Sequence, residues 1–286
     1  MLRASLACLA LFLTTGLVTA QPAAPDGSRM KRIVDTGTIK LGYRAAAAPF
    51  SFVTDTKEPA GYTVDLCKLV VERIRKTLGK PLAVEWVEVT TANRFEQVSS
   101  GKADLECGSS TITLSRMEQV DFSSVIFVES TGAVVKANSG IAKAADLAGR
   151  KIAVASGTTN ERALADLIAA GTLKATLVPV KDREAGIAAF EKGEADAYAS
   201  DKLLLVGARF TDARAITMLP DDLSYEPYGI VLPRGDWALR LAVNAALSDI
   251  FVSGEIAGVF GKWFDQIGLK PGPLLLAAFR LGAIPR

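Results

Sequence analysis

The sequence predicts an α/β protein built as two lobes that face one cleft, and three observations carry that prediction. The chain has 286 residues, which is enough for two domains. Strand-like and helix-like segments alternate over 38–106 and again over 151–201. In both runs the stretches after strand ends are rich in arginine, glycine and hydroxyl residues, and ligand crevices of parallel α/β sheets lie at the carboxyl ends of strands.

Residues 1–20 read as a cleavable export signal. They carry one positive charge at Arg3, an apolar stretch over 6–13 and the small-residue ending Val18-Thr19-Ala20. Thr14, Thr15 and Gly16 break the apolar stretch short of the ~20 residues a membrane span needs. Cys8 lies too early for a lipid attachment site and leaves with the signal. Residues 21–28 form a Pro/Ala/Gly/Ser leader.

The mature chain opens β-α-β. Residues 38–43 alternate apolar and polar as a strand, and a loop with Pro49 follows. Val64, Leu66, Leu69, Val70, Ile74 and Leu78 then keep helical spacing until Gly79 and Pro81. A strand is expected over 84–89, a short helix over 93–100 and a strand over 103–106. Residues 121–135, rich in Val, Ile and Phe, read as one extended crossing segment.

The second run begins with a strand at 151–155, turns at 156–159 and enters a helix through Glu161, Leu164, Leu167 and Ile168. A strand at 178–180, a helix at 184–192 stopped by Gly193 and a strand at 195–199 follow, the last delivering Asp201 to a loop. Residues 203–209 read as helical and 228–232 as a strand. Two amphipathic helices, 237–253 and 255–267, are separated by Gly254. The apolar run 274–279 is too short for a membrane span and reads as a strap packed on the first lobe.

Composition excludes several chemistries. With no histidine in the chain, Ser-His-Asp and Cys-His catalysis and His-bearing zinc sites are ruled out. The balance of 33 basic against 31 acidic residues gives no general pull toward nucleic acid. Nothing in the pattern calls for a cofactor or a metal. Removal of the signal leaves two cysteines, Cys67 and Cys107, in an oxidising compartment, where a single disulfide is the natural reading and two buried free thiols the alternative.

Arg44, Arg94, Arg116 and Arg183 all fall just after strand candidates, where a lobe would present them to a ligand. Gly108-Ser109-Ser110-Thr111 and Ser156-Gly157-Thr158-Thr159 place small and hydroxyl residues where backbone N–H and O–H groups can meet an anion, with a plain helix cap as the alternative use.

Several segments then match in order and spacing: Gly37-Thr38-Ile39-Lys40-Leu41-Gly42 with Ala48-Pro49-Phe50, Gly61-Tyr62-Thr63-Val64-Asp65-Leu66, Gly101-Lys102-Ala103-Asp104, Thr111-Ile112-Thr113-Leu114-Ser115-Arg116 and Val120-Asp121-Phe122-Ser123. Over about residues 30 to 270 the chain resembles the periplasmic amino-acid-binding proteins of ABC uptake systems, solute-binding protein family 3. The resemblance implies the type II periplasmic-binding-protein (Venus-flytrap) fold with two hinge crossings. It places residues 29–129 and 228–286 in lobe 1 and 130–227 in lobe 2. It also implies a monomer in the periplasm that hands its ligand to ABC permease subunits in the inner membrane.

By the same resemblance Arg116 forks onto a ligand α-carboxylate, helped by Ser109, Thr111 and Thr158, and Asp201 takes the ammonium; Ser110, Gly157 and Thr159 are expected among the ligand-binding residues. The likeness is greatest to the glutamate/aspartate receptors, through Tyr43-Arg44, Asn93-Arg94, Glu106-Cys107-Gly108-Ser109 and the 156–159 turn. It implies that Arg44 and Arg94 meet a side-chain carboxylate, with Thr91 nearby; Phe50 or Phe52, each an aromatic beside a strand end, is expected either over the ligand's aliphatic stem or in the core. Arg183 stands where that subgroup often has histidine, and Thr91 where it has serine. The competing expectations are a receptor for glutamine, asparagine or a broad set of polar amino acids, and a cyclohexadienyl-dehydratase-like enzyme on the same fold.

Overall fold

The computed structural model describes residues 24–285, so the export signal expected over 1–20 and the start of the 21–28 leader lie outside the described residues. Two five-stranded sheets organise the chain. The first has the strand order Ala83–Val89, Thr38–Arg44, Leu105–Glu106, Val231–Pro233, Val120–Phe122. Its first three strands run parallel, while Val231 pairs antiparallel with both Glu106 and Phe122. The second has the order Thr176–Val180, Lys151–Ala155, Ala197–Asp201, Thr131–Lys136, Ile216–Met218. It repeats the plan: three parallel strands, then two joined antiparallel.

The chain passes from the first sheet to the second through Phe127–Glu129 and returns through Glu226–Tyr228. These two short strands pair with each other, Glu129 opposite Glu226 and Phe127 opposite Tyr228. The crossings are therefore one hydrogen-bonded ribbon.

The apolar residues divide in the same way. One large core joins Ile33, Leu41, Phe50, Tyr62, Leu66, Leu105 and Phe127 to Tyr228, Leu239, Leu247, Phe260, Phe264 and Phe279, so it draws on both ends of the chain. Separate clusters line the second sheet, one with Val135, Ile152, Leu164 and Ala199, another with Phe190, Tyr198 and Leu205. The Cys67–Cys107 disulfide joins the helix Tyr62–Leu78 to the end of the strand Leu105–Glu106, which places both sulfurs in the first core.

Local details depart from the sequence reading. A helix, Arg29–Thr36, follows the leader, capped by Ser28, whose hydroxyl accepts from the Lys31 N–H. Residues 121–135 are three strands, because Ser123 and Ser124 divert into hydrogen bonds with Ile230 and Asn244. The expected strand at 228–232 is split at Gly229 and Ile230, one half in the ribbon and the other in the first sheet. The tail is a helix, Pro273–Gly282, that buries Leu275 and Phe279, the latter against Phe251. Asp201 is the last residue of its strand and not part of a loop.

Candidate functional site

Every parallel strand of both sheets ends toward the same space. A cavity of about 40 Å³ there is lined from one side by Arg44, Thr91, Arg94, Ser109, Thr111 and Arg116, and from the other by Ala155, Thr158, Thr159, Asn160, Arg183, Tyr198, Ser200, Asp201 and Leu204. Arg44 ends its strand, and Arg94 and Arg183 each open a helix, Arg94–Ser99 and Arg183–Glu191. Opening a helix puts a side chain at the strand-to-helix turn, the part of a βα unit that faces the crevice.

The two sides touch. The Thr111 and Thr159 hydroxyls lie 3.2 Å apart, and Arg183 Nη1 donates to the Ala46 carbonyl across the cleft at 3.0 Å. The Ala48 carbonyl lies so close to Gly207 that a Cβ there would come within 2.3 Å of it. The cleft is closed.

Four guanidinium groups and one carboxylate make up the charge of the wall. Arg94 is buried, its Nε has no hydrogen-bond partner among the described residues, and its guanidinium lies over the Phe95 ring at 4.8 Å. Burial, with Arg44 and Arg116 as like-charged neighbours, pulls its pKa down to about 9. Arg116 lies over the same ring at 5.1 Å and donates through Nη1 to the Thr111 carbonyl at 2.8 Å. Burial also lowers Arg44, Arg116 and Arg183, against the pull of carboxylates that include Asp201 in each case.

Asp201 accepts from Asn160 Nδ2 at 2.8 Å and from the Tyr228 hydroxyl at 2.6 Å. Burial, reinforced by Glu226, raises its carboxyl to about 6. Glu226 in turn accepts from Thr111, Ser224 and Thr131. Such a wall is suited to a ligand with one ammonium and more than one anionic group. An uncompensated buried guanidinium is costly, and a planar carboxylate is its natural partner.

Ten of the residues singled out in the sequence lie on this wall: Arg44, Thr91, Arg94, Ser109, Thr111, Arg116, Thr158, Thr159, Arg183 and Asp201. Phe50, Ser110 and Gly157 do not. Phe50 is fully buried in the first core, edge-on to Tyr62, Phe127 and Tyr228, because the turn between Ala47 and Ser51 points it inward. Ser110 is buried beside the cavity and donates to Glu106 at 2.8 Å. Gly157 is exposed and gives its N–H to Glu161. Thr158 reaches the wall, but its hydroxyl serves the helix Thr159–Ala169 as N-cap, accepting from the Glu161 N–H.

Asn160, Tyr198 and Ser200 are on the wall and were not singled out. Asn160 carried a readable signal: with Leu164 and Leu167 it occupies i, i+4, i+7, so a polar residue sits on the inward stripe of an amphipathic helix. Tyr198 and Ser200 carried none beyond their nearness to Asp201.

Two sheets hinged by one ribbon and closed on a small polar cavity define a two-lobed receptor for a small solute. The family model for bacterial extracellular solute-binding proteins, family 3, matches residues 39–266, and the chain belongs to that family. It is 36% identical over 265 residues to the L-glutamate/L-aspartate-binding protein of Pseudomonas aeruginosa, covering 89% of this chain and 87% of that one. It is 34% identical over 266 residues to the glutamate/aspartate import solute-binding protein of Escherichia coli strain K12, covering 91% and 87%. Among solved structures it is similar to an ancestral amino-acid-binding protein described as a precursor of cyclohexadienyl dehydratase. That match has a TM-score of 0.70 and 27% identity and covers 83% of this chain and 99% of the other.

Proposed function

We propose that the chain is an exported, monomeric periplasmic receptor that closes on an acidic L-amino acid, glutamate or aspartate, and presents it to an ABC permease of the inner membrane. One observation carries the choice of ligand: four arginines share the cavity wall with a single carboxylate, Asp201. Arg116 and Asp201 neutralise the zwitterion, which leaves Arg44 and Arg94 for a side-chain carboxylate. A neutral ligand would leave those two guanidiniums buried with the Glu106 carboxylate as their main countercharge.

The reading of Asp201 as the ammonium's partner also supports binding without turnover. Its two donors, Asn160 and Tyr228, hold both oxygens as acceptors, an orientation that favours a cation over delivery of a proton. Names of the Pseudomonas and Escherichia relatives support the same ligand class.

Calorimetric titration tests the reading. The mature protein, stripped of carried-over ligand by unfolding and refolding, is titrated with glutamate, aspartate, glutamine and arginine. Tight binding of glutamate or aspartate with at least 100-fold weaker binding of glutamine is the expected result. Equal binding of glutamine would overturn the acidic specificity, and turnover of a prephenate-like substrate would overturn the receptor reading.

A further inference from the structure

A second cavity of about 360 Å³ lies in the interlobe cleft, outside the first. Its walls include Ala45, Ala46 and Phe52 from one lobe and Glu184, Ile187 and Gly207 from the other. Among the described residues, Arg183 is the one that lines both spaces. Its guanidinium sits at the boundary, because it donates to the Ala46 carbonyl, on the outer wall, and to the Leu204 carbonyl, on the inner wall. Both bonds are to main chain, so the group is tied to a fixed frame on each lobe.

The contacts of the four arginines show which end of the inner cavity Arg183 closes. Arg94 and Arg116 lie over the same Phe95 ring, at 4.8 and 5.1 Å, whereas Arg183 bonds to the Ala46 carbonyl, two residues past Arg44. Arg44 and Arg183 therefore lie together at the end of the cavity away from Arg116. With the α-carboxylate on Arg116, the tip of the ligand side chain points to that end.

We infer that Arg183 is a specificity-determining partition: it ends the binding cavity just beyond the ligand's side-chain carboxylate and excludes amino acids substituted there, such as γ-glutamyl dipeptides. The assignment rests on the acidic-ligand reading for the direction of the ligand. An arginine spans the boundary because its fork reaches two carbonyls at once, which no shorter side chain does. Removing it joins the inner space to one large enough for a further residue, with the Arg209 and Asp55 side chains available in its wall. A pocket's discrimination against a larger ligand comes from the groups that fill the space it would need.

The test compares two ligand pairs on wild type, Arg183→Ala and Arg183→Gln by calorimetry: glutamate with γ-glutamylglycine, and glutamine with its N-ethyl side-chain amide. The second pair carries an extension without the charge. It keeps the partition readable if glutamine binds and glutamate does not, a result that sinks the acidic reading alone. The expected result is a wild-type preference of at least 100-fold for the parent amino acid, shrinking to under tenfold in Arg183→Ala and to an intermediate ratio in Arg183→Gln. Circular dichroism establishes that each variant is folded. An unchanged ratio in both variants, or a wild type that binds parent and extended ligand equally, overturns the partition; a wild type that binds neither parent overturns both readings.

Discussion

Tyr228 donates a 2.6 Å hydrogen bond to Asp201, so the ribbon that returns to the first sheet grips the end of a strand in the second. With Asn160 holding the other oxygen, the carboxylate is oriented before any ligand arrives. Asp201→Asn keeps the shape and removes the charge. It is expected to weaken amino-acid binding by roughly 2–5 kcal/mol, the range for breaking a buried charge pair. The variant without ligand should melt no lower than wild type, because in wild type burial outweighs the pull of Arg94 and disfavours the charged form of Asp201. Retained affinity in calorimetry would remove Asp201 from the ammonium site.

The same carboxylate sets a pH dependence. Burial and the nearby Glu226 raise its pKa from the ordinary 3.8 to about 6. A bound ammonium favours the ionised form, so affinity should be highest above pH 6 and fall by about tenfold between pH 7.5 and 5. Titrations in two buffers of different ionisation enthalpy should detect proton release near pH 6. For stability the sign is opposite. The folded protein holds this proton more tightly than the unfolded chain, so the group's contribution is fully present below about pH 4 and is lost as pH rises through 6. Glu129, raised to about 7 by burial in the ribbon, acts in the same direction.

Charge reversal at Arg44 separates acidic from amide ligands. Arg44→Glu should cost glutamate roughly 2–5 kcal/mol and leave glutamine within about tenfold of its wild-type affinity. Equal losses for both ligands would show that Arg44 shapes the cavity without reading the side-chain carboxylate.

Closure depends on Gly207. A Cβ there would stand 2.3 Å from the Ala48 carbonyl, backbone of the opposite lobe that has no soft way to retreat. Gly207→Ala should leave the thermal stability of the empty protein near wild type, lower affinity at least tenfold and reduce the compaction seen by small-angle scattering on ligand addition. Full compaction in the variant would contradict the contact.

The disulfide closes a 40-residue separation in the first lobe. Replacing Cys67 and Cys107 by alanine should destabilise by roughly 4 kcal/mol in the chain-entropy model, with the melting midpoint about 8–12 °C lower. An unchanged midpoint under oxidising conditions would mean the bond contributes nothing to stability.

Much of this was legible in the sequence, for reasons that differ by residue. The βα alternation and strand ends are local signals, and they placed Arg44, Arg94, Arg116, Arg183 and Asp201 within one or two residues of the turns that bring them together. Phe50 was not decidable locally. An aromatic beside a strand end goes to the cavity or to the core according to partners such as Phe127 and Tyr228, which lie 77 and more positions away. Helix Arg29–Thr36 was hidden for a similar reason. Only Met30 and Ile33 are buried in its two turns, too short a stripe to stand out from the leader before it.

The first core has one more consequence. It joins residues near 30–130 to residues near 228–279, with the whole second sheet inserted between them in sequence. A chain made from its N-terminus therefore holds half of that core open while the clusters of the inserted lobe, drawn from residues 133–219, can already assemble. The lobe begun first is completed last. During that interval Phe50 and Tyr62 lack their late partners Phe260 and Phe264. The nascent chain is then most prone to associate with its own kind, and a holding chaperone has the most surface to grasp.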